Sequence, residues 1–144
     1  MRAPSFVVSL AATAATALLA VGAGPAHAFD DAQFCVAAKE FIRATVGDVG
    51  TWTDRLTRND GVEIGCERKV VHFKRHYSAP ASALREGWRE RQAELWESTY
   101  CKRSIWREAI DNGWVVAATL TTVTGERLWV GCAKGRRGFY RVLE

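Results

Sequence analysis

Residues 113–132 read GWVVAATLTTVTGERLWVGC, and the fold turns on how they are read. Trp114 to Thr122 is rich in Val, Thr and Leu, Thr124-Gly125 signals a turn, and Leu128-Trp129-Val130 runs into Gly131-Cys132. That pattern predicts two antiparallel strands joined by a tight connection. Just upstream, Cys101, Ile105 and Ala109 with Trp106 and Ile110 recur at helical spacing, and Asp111-Asn112-Gly113 ends the stripe. Downstream, Phe139 to Leu143 reads as a third strand. The unit expected here is therefore helix, strand, strand, strand.

Sliding the chain by 66 positions brings out a second copy of this pattern. Cys35 falls on Cys101, Gly47 on Gly113, Val49 on Val115, Thr53 on Thr119, Gly65-Cys66 on Gly131-Cys132, and Phe73-x-Arg75 on Phe139-x-Arg141. In the first copy, Asp30 with Gln33 three residues on offers a capping-box start, and Phe34, Ala38, Phe41, Ile42 and Thr45 form the helical stripe before Gly47 stops it. Trp52 to Thr57, Val62 to Cys66 and Val70 to Tyr77 are its expected strands, with Asn59-Asp60-Gly61 as the turn. The repeat units cover about 34–77 and 100–143, with a charged linking helix over about 81–99 between them. Neither unit is large enough to hold a core alone. The expectation is an α+β domain, helices packed on antiparallel sheet, in which two repeated units share one core.

The N-terminus decides how the cysteines are read. Met1-Arg2, an uncharged run from Phe6 to Val21, the breakers Gly22, Gly24 and Pro25, and Ala26-His27-Ala28 have the form of a secretory signal peptide over residues 1–28, cut after Ala28. The run is shorter than the about 20 apolar residues a membrane anchor needs, and no later stretch is long enough to span. Residues 29–144 then form one exported domain, periplasmic or secreted. In that setting Cys35, Cys66, Cys101 and Cys132 read as a disulfide framework rather than a zinc site, because no C-x-x-C spacing occurs. Spacing leaves three pairings open. The one expected is Cys35–Cys66 with Cys101–Cys132, each bridge tying a helix to a strand of its own unit.

Without Arg2 the balance is 19 Lys plus Arg against 16 Asp plus Glu, a mild basic excess that gives no reason to expect nucleic acid. Most of the six tryptophans are expected to fill the core. His72-x-x-x-His76 has helical metal spacing, but Val70 to Tyr77 alternates as a strand, where i and i+4 lie about 13 Å apart. No metal or other cofactor is expected. On that strand Arg68, His72, Lys74 and His76 share one face, and Lys134-Gly135-Arg136-Arg137-Gly138 is a basic loop. Both are candidate anion-binding features. Arg75 breaks the inward-facing run of Val71, Phe73 and Tyr77. The linking helix presents Leu84, Trp88, Gln92 and Leu95 on one side, and Trp88 or Trp96 is a candidate partner contact.

No nucleophile with a base and an orienting partner emerges: residues 29–144 hold two histidines, and no G-x-S-x-G occurs. Asp54, Asp60, Glu63 and Glu67 are carboxylates that a fold would have to pair for glycan cleavage. No named family is recognised. In layout alone, two helix-plus-sheet units with one disulfide each resemble the tandem arrangement of the secreted β-lactamase inhibitory proteins, and a likeness of layout carries no function. The expectation is a small non-catalytic binding module whose partner is an envelope protein or an anionic surface polymer. The alternatives are a hydrolase of envelope polymers and a purely structural or stress-related role.

Overall fold

Asp30 accepts a hydrogen bond from the Gln33 amide at 2.9 Å, and from that cap α1 runs Asp31–Thr45. The computed structural model describes residues 28–143, so the expected leader, apart from Ala28, lies outside the described residues. α1 ends before Gly47, whose φ of +76° is left-handed, a conformation that suits glycine just past a helix. There follow β1 (Thr57–Gly65), β2 (Val70–Tyr77), α2 (Trp88–Trp96), a π-type turn (Glu97–Cys101), α3 (Ser104–Asp111), β3 (Val115–Thr122), β4 (Arg127–Ala133) and β5 (Arg136–Leu143). Gly113, at φ +94°, closes α3 as Gly47 closes α1.

Among the described residues the class is α+β, three helices on a five-stranded sheet of order β1-β2-β3-β4-β5. The sheet is mixed rather than wholly antiparallel. β1–β2, β3–β4 and β4–β5 are antiparallel, but β2 and β3 run parallel, Val70 beside Val115 through Tyr77 beside Thr122. The cause is the connection: α2 and α3 carry the chain back to the end of the sheet where β2 began, as a parallel neighbour requires.

Three sequence expectations are corrected. The strand expected at Trp52 to Thr57 does not form, and one isolated antiparallel bridge, Trp52 to Arg58, stands in its place. Asp54 Oδ1 accepts from the amides of Leu56 and Thr57, both at 2.8 Å, and turns the chain before a strand can extend. Asn59-Asp60-Gly61 is not a hairpin turn but a bulge inside β1, where the pairing shifts between Asn59 and Gly61. Buried Asn59 explains it: its side-chain amide donates to the carbonyls of Gly47 and Asp48 and accepts from the Gly61 amide. Finally, the linking helix starts at Trp88, not near Ala81. Ala81–Ala83 is a single 3-10 turn, and Gly87 at φ +69° interrupts the helical path. The face α2 buries is Ala93 and Trp96, while Leu95 is exposed.

The core lies between the helices and one face of the sheet. Val71, Phe73 and Tyr77 of β2, Val116, Ala118 and Leu120 of β3, and Leu128, Val130 and Cys132 of β4 meet Phe34 and Ala38 of α1, Trp96, and Trp106, Ala109 and Ile110 of α3. Aromatic edges knit it together: Phe34 stands 4.6 Å from Trp114, Phe73 stands 5.4 Å from Trp96, and Trp96 stacks on Tyr100 at 4.1 Å. Rings of this size each bury a large apolar area and prefer such edge and offset geometries. Two bridges staple the layers. Cys35 of α1 is bonded to Cys66 at the end of β1, and Cys101 of the π-type turn to Cys132 of β4.

Candidate anion-binding face of the sheet

Because the helices occupy one face, alternate residues on the strands are left on the other. Pairing aligns them in rows across the sheet: Arg58, His76, Thr121, Arg127 and Leu143; Gly61, Lys74, Thr119, Trp129 and Arg141; Glu63, His72, Ala117, Gly131 and Phe139. Arg136 joins at the rim, paired with Ala133.

The surface at the β4–β5 end alternates cation and ring. Trp129 and Phe139 lie 5.0 Å apart, the Arg141 guanidinium sits 5.0 Å over Trp129, and that of Arg136 sits 4.1 Å over Phe139. Stacked guanidinium groups keep their in-plane donors free for an anion while the rings fix their position. A bulge makes this arrangement. Between the pairs Gly131–Phe139 and Ala133–Arg136, β4 advances two residues and β5 three, so the extra residue turns Phe139 and Arg141 away from the helices. Gly138, at φ +61°, occupies the bulge, and a side chain there would run into Glu97.

At the β1–β2 end, Lys74 is ion-paired with Glu63. The His72 ring contacts the Thr119 hydroxyl at 2.8 Å through Nε2. Burial pushes the His72 imidazole below its ordinary value, Glu63 opposes that shift, and Lys74 adds to it. His76 sits between Arg58 and Thr121 in its row.

The expected site residues thus separate. His72, Lys74, His76 and Arg136 share the open face, while Arg68 and Lys134 are exposed in the turns that precede β2 and β5. Arg137 is drawn to the end of α3, where it pairs with Asp111 at 2.9 Å. Trp88 is half-buried against Tyr77, with Arg89 over its ring at 5.2 Å. Trp96 is 6% exposed and its indole donates to the Val116 carbonyl at 3.0 Å, so it offers little surface to a partner. Arg127, Trp129, Phe139 and Arg141 were missed. Their signal was the period-two spacing of Arg127-x-Trp129 and Phe139-x-Arg141, legible only once the bulge is known.

The carboxylates do not converge. Asp54 holds the turn before β1, Asp60 pairs with Arg58 at 3.2 Å, Glu63 pairs with Lys74, and Glu67 is exposed in the β1–β2 turn. Among the described residues no group of three or more His, Cys, Asp or Glu side chains is placed to hold a metal ion, and no helix is long and apolar enough to cross a membrane. The two disulfides fit an oxidising extracellular compartment. No family model, curated protein or solved structure matches the chain.

Proposed function

We propose that this protein is an exported, non-catalytic binding module that holds an anionic polymer of the cell envelope on the open face of its sheet. The observation that carries the reading is the run Arg136, Phe139, Trp129, Arg141 on the open face. Fixed cations alternating with flat rings suit a chain of charged sugars, whose ring faces stack on aromatics while their anionic groups accept from guanidinium donors. The hydrolase alternative finds less support, since three of the four candidate carboxylates are already engaged in caps or ion pairs.

The scaffold itself is read as a duplication. A shift of 66 places the end of α1 on the end of α3 and β2 on β5, and it sets the two disulfides on one another. The parallel β2–β3 joint is what two units pointing the same way would make. In this reading the first unit has reduced its leading strand to the Trp52 bridge.

Binding to immobilised polygalacturonate, with elution by salt, tests the function. The wild type is expected to be retained, and Arg136→Ala with Arg141→Ala to elute at markedly lower salt, because each lost cation lowers the electrostatic share of binding. Unchanged elution would remove this face from the reading. Shortening of the polymer during incubation would favour the hydrolase, and capture of an acidic protein in place of the polymer would replace the proposed partner.

A further inference from the structure

The helix side of β2 carries a second cationic feature. Arg75 shares a strand face with Phe73 and Tyr77, so its guanidinium enters the layer between sheet and helices. It sits 5.6 Å over the Phe73 ring, Nη2 donates to the Tyr100 hydroxyl at 3.4 Å, and Nε is buried with no hydrogen-bond partner. No ion pair compensates it among the described residues. A partly buried cation whose best acceptor is one long bond to a phenol is a group with unused capacity for an anion.

Arg75 opens into a cleft of about 550 Å³ between the end of α1, the 51–53 loop and the π-type turn. Phe41, Thr51, Trp52, Tyr100 and Arg103 also line it, and none of its lining residues is acidic. Arg103 is exposed at the rim, and its charge, like that of Arg75, acts on the Tyr100 phenol against the upward push of burial. Trp52 is 54% exposed beside them, a large ring left uncovered where the expected first strand fails to form. The volume falls in the range of small-molecule pockets, roughly 300–1,000 Å³.

We infer that this cleft binds a carboxylate borne on a ring of monosaccharide size, the carboxylate between Arg75 and Arg103 and the ring against Trp52. A planar carboxylate matches the guanidinium fork, and an exposed indole face is the usual complement of a flat or sugar-like body. The site lies across β2 from the open sheet face and does not depend on that face binding anything.

Calorimetric titration of the whole protein with glucuronate, glucose and inorganic phosphate tests it. Glucuronate is expected to bind at least about tenfold more tightly than glucose or phosphate, and Trp52 emission to change on saturation. Arg103→Ala, at an exposed position that does not endanger folding, is expected to weaken glucuronate at least about tenfold, and Arg75→Gln to abolish it. A polymeric uronate arm separates a free acid from a chain end: weaker retention of polygalacturonate by Arg103→Ala, which leaves the open face intact, assigns the cleft to the chain end, and unchanged retention assigns it to the free acid. Absence of glucuronate binding, equal binding of glucose, tighter binding of phosphate, or binding that survives Arg103→Ala would overturn the inference.

Discussion

The indole of Trp129 lies over the backbone of Gly131 two residues along β4, so close that a Cβ at Gly131 would clash with the six-membered ring. The glycine is therefore the floor on which the aromatic part of the open face rests. Its backbone is not left-handed, so contact rather than conformation selects it.

Gly131→Ala is expected to swing Trp129 off the face and to cost about 1–3 kcal/mol, the usual penalty for inserting a methyl group into filled space. Urea denaturation measures the cost, and a red shift in tryptophan emission reports the displaced ring. Wild-type stability with unchanged emission would show that the ring moves freely and does not fix Arg141.

Gly138→Ala strikes the bulge that aims Phe139 and Arg141. Its φ of +61° alone makes a side chain cost about 1–2 kcal/mol, and the added methyl also meets Glu97. A loss above about 2 kcal/mol is expected. Glu97→Ala combined with Gly138→Ala should recover the part that comes from the clash, so a double-mutant cycle separates the two causes.

Both disulfides span 31 residues, so chain entropy assigns each about 4 kcal/mol. Packing distinguishes them. Cys101 and Cys132 are wholly buried, whereas Cys66 is half-buried. Replacing Cys101 and Cys132 by Ala is expected to destabilise more than replacing Cys35 and Cys66, since smaller side chains there leave unfilled core volume. Equal losses would mean that loop closure is the whole effect.

Stability should fall as acid is added. The folded His72 holds its proton less tightly than an unfolded histidine because of burial, so the unfolded chain binds more protons below the ordinary value of 6.5. Its contribution is complete above pH 6.5 and is lost as pH falls through the lower folded value. His72→Gln, which can keep a contact to Thr119, is expected to flatten the decline in urea midpoint as pH falls below 6.5. An identical decline in the variant would assign the loss to other groups.

Local signals carried much of the architecture. The Asp30 cap, the stops at Gly47 and Gly113, and the alternation in β2 and β3 each act within a few residues, where the sequence neighbours supply the partners. The cysteine spacing left three pairings open, and the bridges present are Cys35–Cys66 and Cys101–Cys132. Elements that depend on distant partners read wrongly. The bulge at Asn59 involves hydrogen bonds from Asn59 to Gly47 and Asp48, which no local pattern announces, whereas the strand at Trp52 is lost to a turn that Asp54 makes with the amides of Leu56 and Thr57.

The Phe-x-Arg pair shows where the boundary lies. By itself the sequence determined that Phe73-x-Arg75 and Phe139-x-Arg141 recur on strands, two-residue steps apart, so that each pair shares one side of its strand. The inward side of Phe73 was legible in the alternation of its strand, but only the tertiary structure decided the side of Phe139 and Arg141. Phe73 and Arg75 face the helices, while a single extra residue in β5 turns Phe139 and Arg141 to the open face. The physical reason is the period of a strand: one residue of slip reverses every side chain beyond it, and the slip here appears only where β5, bent at Gly138, pairs with β4.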